Sequence, residues 1–355
     1  MSDITKIVLT GAPCSGKSTA LEKLKVHYEK QGYTVFIMPE SARILINNGV
    51  SRDDMLLFES KVIAHQLNAE SEIDKSLSKD TDDKILVLYD RGIADALSYL
   101  TSEQSDALKN RYNFDLIQIW DRYSAVMMLE TADSDNYIMD DGRTESREKA
   151  LKAQSALLDV WIGHPHFRFI KSADRFDDKI NNLIDEIDCI LGNIEHEKKY
   201  LIKYPDFEAL SKYKPFKSEI EQIYLLSDIG SHRIRKRGSN GSYAFFETLK
   251  IRISGDKCYE YEGSISEEKY DELKTVADPE KHPIIKDRYC FLYNGQYFEL
   301  DVFPFWSDKA LIELELSSCS DAPDLPPEIT VIKDVSKSKK YKNNYLASVN
   351  WNENS

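Results

Sequence analysis

The sequence predicts two folded domains, an α/β domain on a parallel sheet over residues 1–192 and an antiparallel β-barrel over residues 193–355. Three observations predict this. The loop Gly11-Ala12-Pro13-Cys14-Ser15-Gly16-Lys17-Ser18, with Thr19 behind it, follows the apolar run Ile7-Val8-Leu9 and so lies between a strand and a helix. Buried-strand runs then alternate with helical patterns as far as the turn signal Gly192-Asn193. Beyond that turn the period changes to two, and charges recur at alternate positions.

The loop fits the phosphate-binding pattern G-x-x-x-x-G-K-[ST] without a mismatch. Its glycines let backbone N–H groups turn inward and cradle phosphate oxygens at a helix N-terminus, where the dipole favours negative charge. Lys17 is placed to reach the β/γ-phosphates and Ser18 to ligate Mg²⁺, with Gly11, Pro13, Ser15, Gly16 and Thr19 completing the cradle. The expected ligand is ATP or GTP.

Composition bounds the rest. The chain has 355 residues, 41% hydrophobic and 30% charged, enough for two domains that each bury a core. A net charge of −14 argues against non-specific duplex nucleic acid binding. Cys14, Cys189, Cys258, Cys290 and Cys319 are scattered without a C-x-x-C pair, which points to a reducing compartment rather than a disulfide framework or zinc site. The first strand leaves no space for a signal peptide, and no apolar run approaches ~20 residues. A soluble, cytoplasmic protein with no transmembrane segment is expected.

In the first half, Leu21, Leu24 and Tyr28 mark a helix ending near Gly32. The run from Tyr33 to Met38 reads as a strand stopped by Pro39. Glu40, with Arg43 beyond it, therefore stands outside the carboxyl end of a strand, where ligands bind in open α/β sheets. Ser51 with Asp54 reads as a helix start, and His65 on that helix reads as a packing residue. The stretch from Glu70 to Lys84 reads as a solvated helix end and loop. Ile85 to Tyr89 forms the next strand, closed by Asp90-Arg91-Gly92. An acid there holds Mg²⁺ through water or orients the phosphoryl acceptor, and Arg91 joins the phosphate-binding set. Asp-Arg at this point, together with Glu40, resembles the P-loop nucleoside and nucleotide kinases. That resemblance implies that Glu40 is a general base; the other reading is a surface carboxylate paired with Arg43. Gln118 breaks the apolar stretch Leu116 to Trp120, and Ala125 to Glu130 reads as a strand. Arg143 and Arg147, four apart, share a face on a helix, as a lid over the transferring phosphate requires; a salt-bridged exposed helix is the alternative. His164-Pro165-His166 is a turn, Phe167 to Ile170 a last strand, and Asp178 to Leu191 the closing helix.

In the second half, strand after strand carries charges of mostly one sign on one face. Glu195, Glu197 and Lys199 alternate, as do Arg233, Arg235 and Arg237, then Thr248, Lys250 and Arg252. The pairs Glu260 and Glu262, Lys286 and Arg288, Glu299 and Asp301, Glu313 and Glu315 follow the same arithmetic. Any one pair fits a solvated sheet face. The set fits a closed barrel lined with acid and base, its opposite faces (Ile234, Leu249, Ile251, Leu314, Leu316) under apolar cover. A dry lining of that kind would cost too much, so water, metal and an anionic ligand are expected inside.

These alternating charges, with the closing stretch from Val331 to Asn343, resemble the CYTH family, the triphosphate tunnel metalloenzymes. Behind a kinase-like P-loop domain, the whole resembles the TRPL-translocation-defect group of fused P-loop/CYTH proteins. The resemblance implies an eight-stranded tunnel that hydrolyses a terminal phosphate from a triphosphate, inorganic or organic, with Mg²⁺ or Mn²⁺. It implies metal ligation by Glu195, Glu197, Asp301, Glu313 and Glu315, and phosphate contacts from Lys199, Arg233, Arg235, Lys250, Lys286 and Arg288. Two positions depart from the family pattern, Cys258 where a basic residue is common and Ser336 where Thr is. The tail from Lys333 to Lys342 reads either as a gate or as a solvated end. A different class of reading is a nucleotide-switched binding protein whose tunnel or basic face holds a phosphorylated ligand such as a phosphoinositide. A third is an RNA 5′-end kinase/triphosphatase, which the net charge weakens.

Overall fold

Ile7, Val8 and Leu9 are fully buried at the centre of the first sheet, which grows outward from them. The computed structural model describes residues 3–77, 84–132, 146–192, 197–254, 257–315 and 323–351, without the side chains of 3, 252–254, 257–260 and 315. It divides into two units, Met1–Gly192 and Asn193–Ser355.

The first unit has five parallel strands: β1 (Asp3–Thr10), β2 (Thr34–Met38), β3 (Lys84–Asp90), β4 (Ala125–Leu129) and β5 (Phe167–Ile170), in the order β2-β3-β1-β4-β5. β4 is buried along its whole length and β3 along all but Lys84, as a parallel strand covered on both faces must be. Register pairs Leu9 with Asp90 and Met38 with Tyr89, so the phosphate loop, Glu40 and Arg91 all leave the sheet at one edge. Helices α1 (Lys17–Lys30) and, near the chain's midpoint, α8 (Phe176–Gly192) bury Leu21, Leu24, Leu183 and Ile187 against Ile7, Leu9, Leu88 and Met127. Between them come α2 (Ser41–Asn47), α3 (Met55–Leu77), α4 (Ile93–Leu97), α5 (Ser102–Tyr112), α6 (Leu116–Trp120) and α7 (Arg147–Trp161).

Three local readings change. The helix α3 is capped by Asp54, whose Oδ1 accepts from the Leu57 N–H at 3.0 Å, while Ser51 bonds Asp53 instead. Glu70 is 2% exposed rather than solvated, because it accepts from Gln66, Arg122 and the Tyr123 hydroxyl, the last at 2.6 Å. Gln118 closes a capping box with Asp115 and so opens α6. His65 packs as expected, with its Nδ1 2.9 Å from the Ser41 hydroxyl.

The second unit is a nine-stranded antiparallel sheet: β6 (Glu197–Lys203), β7 (Phe216–Leu225), β8 (Ser231–Ser239), β9 (Ser242–Ser254), β10 (Lys257–Ile265), β11 (Ile284–Tyr293), β12 (Gln296–Val302), β13 (Lys309–Glu315) and β14 (Val331–Asp334). The order is β10-β9-β8-β7-β11-β12-β13-β6-β14. The ninth strand comes from the tail, which adds to the edge of β6 with a register shift. Among the described residues no ladder joins β10 to β14. Two Asn-Gly turns set the register of the charged strands. Asn240-Gly241 and Asn294-Gly295 all have positive φ, as two-residue hairpin turns require. They lock β8 to β9 and β11 to β12, pairing Arg233 with Thr248 and Arg288 with Asp301.

Alternation then sorts the faces. Ile202, Phe291, Phe298, Ile312 and Leu314 pack on the outer face under Leu210 of α9 (Phe207–Leu210). Ile223 and Ile234 pack there under Tyr270 of α10 (Glu267–Lys274). On the face that carries Lys199, an apolar plug of Leu201, Tyr224, Ile284 and Leu311 closes over Val335 and over Leu346 and Ala347 of α11 (Asn343–Ala347). The tail therefore inserts Val335, Leu346 and Ala347 and leaves Lys333, Lys337, Lys339 and Lys340 exposed.

Candidate functional sites

In the phosphate loop, Lys17 Nζ donates to the carbonyl of Gly11 at 2.6 Å and lies 3.3 Å from both the Ala12 carbonyl and Ser15 Oγ. The ammonium thus spans the cradle that a phosphate would fill. Burial, with Arg91 nearby, pulls its pKa down to about 7. Gly16 caps α1 at φ 88°, and a Cβ there would clash with the Phe176 ring. Gly16→Ala is expected to cost about 1–2 kcal/mol from the left-handed backbone alone, read as a lower unfolding midpoint with unchanged secondary structure. Pro13 and Ser15 complete the loop, and Ser18 and Thr19 are exposed on the first turn of α1.

Around the loop stand charges that the strand ends deliver. Arg91 adopts φ 79°, rare for a side chain other than glycine. Its guanidinium donates to Glu40 Oε1 at 2.9 Å and to Asp95 Oδ2 at 3.1 Å. Glu40 is therefore held by Arg91, with Arg43 further off at 3.6 Å. Asp95 also accepts from Thr10 and from the Trp161 indole, both at 2.7 Å. Arg147 opens α7, and its Nε lies 3.4 Å from the Ala132 carbonyl, while the Ala132 N–H bonds the Cys14 carbonyl of the loop. Arg143 lies outside the described residues.

In the second unit the expected side chains converge on one face. Arg288 donates to Asp301 Oδ1 and Oδ2, both at 2.7 Å, to Glu313 Oε2 at 2.9 Å and to Glu299. Lys286 pairs with Asp301, and Lys199 lies 2.7 Å from Glu313 and 3.0 Å from Glu197. Further round the sheet, Glu262 takes Arg235 at 2.8 Å, Arg233 at 3.7 Å and the Thr248 hydroxyl at 2.7 Å. Lys250 is exposed and pairs in register with Glu260. Glu195 and the side chain of Glu315 lie outside the description; in the backbone ladder Glu315 stands opposite Glu197.

Burial alone would raise the Asp301 and Glu313 carboxyls, but Arg288 with Lys286, and Lys199 with Arg288, outweigh it and hold both below the usual range. Burial likewise opposes the Lys199 charge, and Glu313 and Glu197 more than restore it. Both acids are depressed in the folded state, so their contribution to stability is fully present above the unfolded carboxylate range. It is lost as pH falls below that range. The second unit is expected to unfold more readily at pH 3 than at pH 7, which urea titrations at the two pH values measure.

Comparison with known proteins bears on both units. Residues 6–178 match the AAA domain family. The structure titled the inorganic triphosphatase NE1496 is 30% identical in sequence, over 44% of this chain and 95% of that one, with a TM-score of 0.33. The second unit belongs to the CYTH-like triphosphatase family. The chain thus joins an AAA-type P-loop domain to a CYTH-like domain. A thymidylate kinase from Candida albicans is also similar, at 16% identity over 55% of this chain and 94% of that one, TM-score 0.39. Comparison with curated proteins finds no match. No helix among the described residues is long and apolar enough to cross a membrane.

The AAA-type domain fits a divalent cation. Asp90 Oδ1 is buried with no hydrogen-bond partner among the described residues, and the carboxylate lies within electrostatic reach of Lys17. The CYTH-like domain offers hard oxygen donors, but Glu197, Glu262, Glu299, Asp301 and Glu313, the described carboxylates of the charged face, each already hold a lysine or arginine. No group of three acidic, histidine or cysteine residues converges as a metal site among the described residues.

Three residues of the AAA-type domain escaped the sequence reading. Lys179, 4% exposed, ties the Ser15 carbonyl (2.9 Å) to the Glu130 carbonyl (2.6 Å) and so fixes the loop to the end of β4. Asp95 and Glu59 come from helices, where a buried acid leaves no periodic trace. In the CYTH-like domain Glu299 and the buried Arg237 belong to the alternating pattern, which by itself assigns neither of them a role.

Proposed function

We propose that the AAA-type domain binds ATP or GTP with Mg²⁺ and transfers or hydrolyses the γ-phosphoryl, and that the CYTH-like domain hydrolyses a triphosphate. The observation that carries the second claim is the convergence of Lys199, Lys286 and Arg288 with Glu299, Asp301 and Glu313 on one face. In the free protein these charges satisfy one another. A triphosphate entering the face would take the bases as its own counter-ions, Arg288 as a planar fork and the lysines as point charges. The bases then neutralise charge that builds on the terminal phosphate as its bond breaks. A divalent cation, when bound, would polarise that phosphate; Glu195, Glu197, Asp301, Glu313 and Glu315 are the proposed ligands.

In the AAA-type domain, Lys17 and the loop amides hold the β/γ-phosphates, Ser18 and Asp90 are the proposed Mg²⁺ ligands, and Arg147 with Arg143 forms the proposed lid. Glu40 stands where an acceptor would enter. A cytoplasmic location and assignment to the TRPL-translocation-defect group complete the proposal. The experiment is turnover of ATP, GTP and tripolyphosphate by the full chain, by Lys17→Ala and by Glu313→Ala. Each substitution should remove a separate part of the activity. Equal turnover in all three proteins would refute both assignments.

One observation favours a second reading, a nucleotide-switched binder of a phosphorylated ligand. The described acids act as counter-ions to the bases rather than as a metal cluster. Tight polyphosphate or phosphoinositide binding without phosphate release would support that reading.

A further inference from the structure

Three stretches of chain meet at the phosphate loop, and one buried side chain reaches two of them. The loop runs against the end of β4: a Cβ on Gly11 would clash with the Leu129 carbonyl, and the Ala132 N–H donates to the Cys14 carbonyl at 3.3 Å. The first turn of α8 brings Phe176 and Lys179 to the loop, three residues apart and so on one helix face. The Phe176 ring lies against Gly16. Lys179, 4% exposed, donates to the Ser15 carbonyl at 2.9 Å and to the Glu130 carbonyl at 2.6 Å. The Glu130 carboxylate in turn accepts from the Ser172 N–H at 2.7 Å. The segment after β4 is also held by α7, where Gln154 accepts from the Thr131 N–H at 2.7 Å and Arg147 donates to the Ala132 carbonyl at 3.4 Å.

A trans peptide places its carbonyl and its N–H on opposite sides. The ammonium that draws the Ser15 carbonyl toward α8 therefore turns the Gly16 N–H away from α8. It does so beside a residue at φ 88°, where glycine, lacking a Cβ, has other conformations equally open to it. We propose that Lys179 is a positioning residue of the AAA-type domain: it sets the Ser15–Gly16 peptide with its N–H toward the β-phosphate, and it keeps that peptide in step with the segment after β4. The inference rests on the reading of the loop as a nucleoside-triphosphate site. Lys179 touches no phosphate; it acts through the loop, and differs in this from Lys17. Because one ammonium holds both carbonyls, a phosphate that orders the loop also orders Glu130 to Ala132, and with them the end of α7 that carries Arg147.

The test uses the full chain with Mg²⁺ and follows binding of ADP and GDP, counting only the binding that Lys17→Ala removes. Lys179→Met keeps the length of the side chain and loses the ammonium. It should weaken the diphosphate that binds wild type by about tenfold or more, and Lys179→Arg, which keeps the charge and the donors, should recover part of the loss. Hydrogen exchange separates positioning from mere bracing of the fold. In wild type, saturating diphosphate should slow exchange of the loop amides and, by about tenfold, of the Thr131 and Ser172 amides. In Lys179→Met at saturation the loop should still be protected while Thr131 and Ser172 are not. The wild-type half of that measurement needs no variant to fold. Unchanged diphosphate affinity in a folded Lys179→Met overturns the proposal. So does protection of Thr131 and Ser172 that wild type lacks or the variant keeps. Wild-type protein that binds neither diphosphate would instead overturn the reading of the phosphate loop, and this inference with it.

Discussion

Arg288→Ala is expected to abolish triphosphate turnover by the CYTH-like domain and to destabilise it by about 3–5 kcal/mol, the usual cost of removing one partner from a buried ion pair. The side chain donates to three acids at once, Asp301, Glu299 and Glu313. Asp301 is fully buried and would keep only Lys286; Glu313 would keep Lys199. Glu299 would lose the arginine that now holds it. The loss should therefore depend on pH. Protonating the stranded carboxyls lowers the cost of burying them, so the gap between wild type and Arg288→Ala should narrow between pH 7 and pH 4. Urea unfolding of both proteins across that range measures it, and a gap independent of pH would mean that Arg288 acts through packing instead.

Lys17→Ala should do the reverse, losing function with little loss of stability. Its ammonium already carries a burial cost that draws its pKa down, and in the free protein it bonds loop carbonyls that only a phosphate charge would turn to use. Nucleotide affinity is expected to fall at least 100-fold, about 3 kcal/mol, while the unfolding midpoint shifts by no more than a surface substitution would shift it. Titration with a fluorescent nucleotide and a thermal melt of the same sample separate the two effects. A large drop in stability would make Lys17 a strut of the loop rather than a ligand for phosphate.

What the sequence displays depends on how far the signal is spread along the chain. The phosphate loop is local, so its residues and its place between β1 and α1 are legible directly. Glu40, Asp90 and Arg91 are legible because each follows an apolar strand run. Arg288, Asp301 and Glu313 are legible because a strand repeats every two residues and marks a whole face at once. Glu59, Asp95 and Lys179 are not, since a single polar residue on a packed helix resembles a surface position until its neighbours are known. The Asp54 cap and the burial of Glu70 fail for the same reason: both depend on partners, Leu57 in the next turn and Arg122 far along the chain. The ninth strand was hidden because β14 is short and all four of its residues are exposed, so it has no alternation to show.

The measurement that tests the account most directly is phosphate release from tripolyphosphate by the full chain carrying Lys17→Ala, with Mg²⁺ or Mn²⁺, beside the same chain carrying Glu313→Ala as well. The account predicts steady release by the first protein, dependent on the divalent cation, and its loss in the second. Release that survives Glu313→Ala, or no release from a folded protein that still binds tripolyphosphate, would contradict it and leave the charged face as a binding surface.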